Sequence, residues 1–196
     1  MKVKCSLHNH SSMSDGAMSP GEFLHIMKDR GFNVIAITDH NQWTLPHELQ
    51  IPDNIIFING VEWTFRYHII KLELPTNKSI RTFSWKDRLD LARVDWLAHP
   101  GLAGLSHSKI LELIRNYKLD GVEKCNRNFH QYDGTIPGVI EYGVDDVHSE
   151  RMIGWNWIEM EVDSFDKETI LEKLKKGEFN ITRRKGVKAY PYLYGG

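Results

Sequence analysis

Ser19-Pro20-Gly21-Glu22-Phe23-Leu24-His25-Ile26-Met27-Lys28-Asp29-Arg30-Gly31 runs directly into Phe32-Asn33-Val34-Ile35-Ala36-Ile37-Thr38-Asp39-His40-Asn41. The first half is punctuated as a helix. Ser19 is an N-cap, Pro20 is preset for the first helical position, Glu22 completes a capping box, and Gly31 stands just past the end. The second half carries a short, wholly apolar, β-branched-rich run, Val34 to Ile37, of the kind that forms a strand buried on both faces.

Outward from this pair the alternation continues. Strands are expected at Val3 to Leu7, Val34 to Thr38, Ile55 to Asn59, Val94 to Ala98, Gly121 to Lys124, Val139 to Val144 and Trp157 to Val162. Ile110, Leu113, Ile114 and Tyr117 repeat at helical spacing and predict a helix over 108–118; Ile170, Leu171 and Leu174 predict another over 166–176, before Gly177. A shorter helix is expected between Ser84 and Arg93, while 126–138, rich in Gly, Pro, Asn and Asp, reads as a loop. Strands alternating with helices imply an α/β fold with a parallel sheet or barrel.

With 196 residues, 41% of them hydrophobic, the chain can bury a core as one domain, residues 190–196 being either a tail or a late packing segment. A net charge of -1 lacks the basic excess typical of nucleic-acid binders. Cys5 and Cys125, the two cysteines, stand far apart and suggest neither a disulfide framework nor a Cys-based zinc site. No secretory signal or membrane-length apolar run is evident, so a cytoplasmic protein with no membrane partner is expected.

The ten histidines are placed rather than scattered. His8 and His10 end the first strand two residues apart, on one face. Asp15 precedes Gly16 in a turn. The apolar second strand discharges into Asp39 and His40. Glu62 follows the third strand among apolar neighbours, where an unpaired carboxylate is costly, and so is a candidate bridge between two cations. His68 lies where a short hairpin would fold it back, His99 precedes Pro100 at the end of the fourth strand, and Asp146 and His148 close another. Six imidazoles and three carboxylates at strand ends, with no matching set of Lys or Arg at those points, call for bound cations. The absence of thiolates suits zinc, manganese or iron. His25, His47, His107 and His130 read as ordinary surface or packing residues.

Leu7-His8-Asn9-His10, Asp15-Gly16, Thr38-Asp39-His40-Asn41, Gly60-Val61-Glu62, Ala98-His99-Pro100 and Asp146-Val147-His148 resemble, in order and spacing, the PHP (polymerase and histidinol phosphatase) family. Lys175 to Thr182 is similar to that family's last helix and closing strand. The resemblance implies a distorted (β/α)7 barrel with two or three divalent metal ions at the strand C-terminal ends. It implies that His8, His10, Glu62 and Asp146 hold one metal, Glu62, His68 and His99 a second, and Asp15, His40 and His148 a third. The implied chemistry is phosphoester hydrolysis by a metal-bound hydroxide, with no protein nucleophile. Its substrate would be a small phosphometabolite, a nucleotide or an oligonucleotide end. Arg183, Arg184 and Lys185 after the closing strand, with Arg66 and Arg127, are candidate phosphate donors. Two other readings stay open: a catalytically silent PHP-type binding module, and a metal hydrolase acting on C–N or C–O bonds.

Overall fold

The computed structural model describes residues 1–44, 46–74, 92–127, 129–186 and 190–191. One curled sheet dominates it. Its strands are β1 (Lys2–Ser6), β2 (Val34–Ile37), β3 (Ile56–Thr64), β4 (His68–Leu72), β5 (Val94–Leu97), β6 (Gly121–Asn126), β7 (Phe129–His130), β8 (Ile140–Val144), β9 (Asn156–Glu161), β10 (Asn180–Arg183) and β11 (Tyr190–Pro191). The helices are α1 (Pro20–Asp29), α2 (His107–Tyr117) and α3 (Lys167–Lys176). The capping box at Ser19 forms as expected: its hydroxyl accepts from the Glu22 N–H and the Glu22 carboxylate accepts from the Ser19 N–H.

The sheet order is β10-β9-β1-β2-β3-β4-β5-β6-β7-β11, with β8 also pairing β6. The parallel β-α repeat is present in β1-α1-β2 and β5-α2-β6, and β3 and β8 extend these parallel runs. The expected α/β fold is thus present, and within its sheet β3-β4-β5 and β1-β9-β10 depart from parallel order by running antiparallel. Apolar runs do not encode direction, and the short β3–β4 turn can only reverse the chain. The 126–138 loop also contains more order than expected. Asn126 ends β6, and β7 folds back on it through Cys125↔His130 and Asn126↔Phe129. Most of the helix expected between Ser84 and Arg93 lies outside the described residues.

Alternation along each strand sends side chains to two places. Val3, Cys5, Val34, Ile58, Ile70, Trp96, Tyr142 and Ile158 meet inside the curl, where Ile170, Leu171 and Leu174 of α3 join them. Ile35, Ile37 and Phe57 face outward onto Phe23, Leu24 and Met27 of α1; Ile69, Leu97 and Val122 do the same onto Ile110 and Leu113 of α2. The segments just beyond β1 and β8 are tied together, where the His10 N–H donates to the Val147 carbonyl at 2.8 Å and the Val147 N–H to the His8 carbonyl at 3.3 Å. Sequence-distant ligand candidates are thereby brought to one rim.

Close packing of β8 against β10 depends on Gly143, because a Cβ there would lie 2.2 Å from Ile181 Cγ2. Gly143→Ala must push Ile181 aside and should cost roughly 1–3 kcal/mol of stability. Gly21→Ala, which meets no atom within 4 Å in α1, should be neutral or mildly stabilising. Urea midpoints of the two variants test the contrast; equal midpoints would refute the tight β8–β10 contact.

Candidate metal centre

All nine ligand candidates gather at the rim formed by the C-terminal ends of β1, β2, β5 and β8 and by the β3–β4 hairpin. His8 Nε2 and His10 Nε2 face each other at 3.1 Å. Each also faces Glu62 Oε2, at 3.3 and 3.1 Å, and Asp146 Oδ1, at 3.3 and 3.2 Å. Asp146 Oδ1 is buried, yet satisfies hydrogen-bond geometry with neither ring. Four ligand atoms held about 2.0–2.1 Å from one zinc ion in a tetrahedron would lie about 3.3–3.4 Å apart. The five distances that involve His8 or His10 are close to that edge length, and the orphaned Asp146 oxygen is what a cation would satisfy. These residues fit a metal.

Glu62 Oε1 turns to the other side, accepting from His68 Nδ1 at 2.7 Å and His99 Nε2 at 2.9 Å. The β3–β4 hairpin produces this contact, pairing Thr64 with His68 and folding the histidine back as expected. A further group forms around Asp15, whose Oδ2 lies 3.5 Å from His40 Nε2 and 3.3 Å from His148 Nε2, while Oδ1 lies 3.5 Å from His10 Nδ1. Gly16 makes that loop possible, since a Cβ there would sit 2.2 Å from the His10 carbonyl oxygen. His10 thus stands between two groups, and among the described residues four sets of three or four side chains are close enough to hold an ion.

Asp146 and His148 do not share a strand face, because β8 ends at Val144 and Asp146 is left-handed with φ 52°. That turn sends Asp146 to His8 and His10 and His148 to Asp15. Asn41 and Arg127 have φ of 52° and His99 of 23°, so the rim concentrates costly backbone where the surrounding packing over-determines it.

Burial opposes charge on His8, but the Glu123, Asp146 and Glu62 carboxylates outweigh it and hold its pKa well above the usual imidazole range. His10 and His99 are raised by the same competition. Burial would raise Glu62 and Asp146, yet the imidazoles hold both well below ordinary carboxylates. His40 goes the other way, lowered chiefly by burial.

Glu123 escaped the sequence reading. It is fully buried on β6 and its Oε1 lies 2.6 Å from His8 Nδ1. The other oxygen accepts from the His99 N–H at 2.8 Å. An acid inside a strand otherwise facing a core was the available signal. Thr64 Oγ1, 2.7 Å from His40 Nδ1, and Asp39, which accepts from the Ser11 N–H and from the Ser11 and Ser14 hydroxyls, also support the rim.

The phosphate-donor candidates separate. Arg127 Nη2 lies 3.1 Å from Asp146 Oδ2, so one guanidinium stands beside the acids. Arg183 stands behind it: Nε donates to Asn156 Oδ1 at 3.0 Å, and the Asn156 amide donates to the Arg127 carbonyl. Arg184 and Lys185 are exposed beyond β10. Arg66 is exposed in the β3–β4 turn, beside His68.

Residues 6–74 match the model of the PHP domain family. The chain is PHP-like, in sequence over that stretch and in fold well beyond it. A curated relative, a 5'-3' exoribonuclease of Haemophilus influenzae, is 39% identical over 80 residues, covering 37% of this chain and 29% of the relative. A two-domain protein from Bacteroides vulgatus, containing a predicted PHP-like metal-dependent phosphoesterase, superposes with a TM-score of 0.70 at 17% identity, over 93% of this chain and 65% of that one. A lesion-specific endonuclease from Pyrococcus furiosus superposes at 0.60 with 18% identity, over 92% of this chain and 58% of that one. The chain thus spans less than a third of the curated relative it matches. Among the described residues no helix is long and apolar enough to cross a membrane.

Proposed function

We propose that this chain is a single-domain, metal-dependent phosphoric ester hydrolase acting on a small phosphometabolite, a nucleotide or an oligonucleotide end in the cytoplasm. The observation that carries the reading is that His8 Nε2 and His10 Nε2, 3.1 Å apart, each lie 3.1–3.3 Å from both Glu62 Oε2 and Asp146 Oδ1. His8, His10, Glu62 and Asp146 would hold one divalent ion, Glu62, His68 and His99 a second, and Asp15, His40 and His148 a third. When bound, zinc, manganese or iron at these positions supplies Lewis acidity toward a phosphoryl oxygen and an acidified water as nucleophile.

The protein's own part is orientation and charge. Glu62 commits one oxygen to each of two neighbouring groups, fixing their separation. Glu123 and Thr64 fix two imidazoles from behind. Arg127, anchored on Asp146 and a third exposed, keeps guanidinium donors at the rim for a phosphoryl oxygen.

Elemental analysis should find two or three divalent ions per chain, and chelation should abolish hydrolysis of aryl phosphate monoesters or diesters until metal is restored. Full activity of the metal-free protein would sink the reading. Affinity should also rise from pH 6 to pH 8, measured by chelator competition. Uptake must displace protons from His8, His10 and His99, whose pKa values are raised despite burial.

A further inference from the structure

Beside His68 and His99 opens a cavity of about 210 Å³ whose other walls include Arg66, Tyr67, Leu102 and Leu105. It is small against the roughly 300–1,000 Å³ of sites that take drug-sized molecules, and so suits one ring system rather than a whole nucleotide. Tyr67, Leu97, Leu102 and Leu105 make much of its wall apolar. The Arg66 guanidinium lies 5.7 Å from the centre of the Tyr67 ring, and Leu102 is left 55% exposed at the mouth. Of the five exposed large hydrophobics among the described residues, three, Met13, Phe65 and Leu102, lie on loops that carry or adjoin ligand candidates. Apolar side chains left in water around so polar a centre have a reason if the ligand brings an apolar face.

We infer that this cavity is a base-side subsite: it takes a nucleobase joined to the phosphate held at the metal centre, packed against Tyr67 and Leu102. This rests on the phosphoester reading above and narrows its substrate class to nucleotides or nucleic-acid ends. A planar base has the π-face that Tyr67 and a guanidinium both accept. Its ring nitrogens and carbonyls are acceptors, and Arg66 offers only donors. No carboxylate is among the lining residues to oppose a phosphate nearby. An alkyl leaving group would use the leucines and leave Arg66 without a role.

The test is calorimetric titration of the metal-loaded full chain with the non-hydrolysable phosphonate analogues of AMP and of ribose 5-phosphate, the second lacking the base, for wild type, Leu102→Asn and Arg66→Gln. Wild type should bind the AMP analogue at least tenfold tighter. Leu102→Asn, at a half-exposed position, should shrink that ratio severalfold, and Arg66→Gln should shrink it as well, with circular dichroism unchanged in both. Equal affinity for the two ligands in wild type, binding of neither, or variants that weaken both ligands in proportion would overturn the subsite. Because binding is read without turnover, a chain that discriminates for the base yet cleaves no phosphate ester would sink the hydrolase reading alone.

Discussion

Glu62→Gln is expected to remove at least one metal ion per chain and to lower hydrolysis by about a thousandfold, equivalent to about 4 kcal/mol of transition-state stabilisation. Shape is nearly conserved, so the loss comes from chemistry. Both Glu62 oxygens are committed: Oε2 to His8 and His10, and Oε1 to His68 and His99. An amide can offer an oxygen to one group only, and it turns an NH2 toward the other. It also removes a negative charge that offsets the cations. The measurement is elemental analysis with kcat and KM on the same preparation, and circular dichroism as the folding control. A variant with full metal content and near-normal kcat would mean that Glu62 bridges nothing.

The clearest of the legible parts of this site share a feature. They are strand-end polar residues after an apolar run, as in His8-Asn9-His10, Asp39-His40 and Ala98-His99-Pro100, whereas Glu62 lies inside β3 and not after it. Packing does not ask for such endings, so they stand out from sequence alone. Helix α1 was legible for a similar reason, since Ser19, Pro20, Glu22 and Gly31 act locally. Strand direction was not. β4, His68–Leu72, carries the fully buried Lys71, which pairs with Asp95 across the ladder at 2.8 Å, and a lysine hides a buried strand. β7 has two residues and no periodicity. Glu123 was obscured by Lys124 beside it and by a register shift between Glu123 and Cys125 that breaks the alternation a reader would use. The Arg127 contact depends on two left-handed residues, Arg127 and Asp146, which no pattern of apolar residues announces.

That hidden glutamate gives the second large effect. Glu123 accepts from four donors: His8 Nδ1 and Trp96 Nε1 on one oxygen, the His99 N–H and Asn126 Nδ2 on the other. An ionised carboxylate is acceptor-only, so it holds the His8 proton on Nδ1 and leaves the Nε2 lone pair facing His10, Glu62 and Asp146. Glu123→Gln cannot keep this arrangement in either orientation. With its NH2 toward His99 and Asn126, three donors converge with no acceptor among them. With its NH2 toward His8, Nδ1 must become the acceptor and the proton moves to Nε2, which then cannot bind a cation. Metal affinity should therefore fall about 10–100-fold, in the range found when the partner behind a ligating histidine is lost. At saturating metal, kcat should recover much of its wild-type value, because Glu123 touches no substrate. Chelator competition reads the affinity and metal titration of activity reads the recovery. If affinity stays at the wild-type level, Glu123 is only a buried acceptor for Trp96 and His99; if kcat stays low at every metal concentration, it acts in the reaction and not through His8.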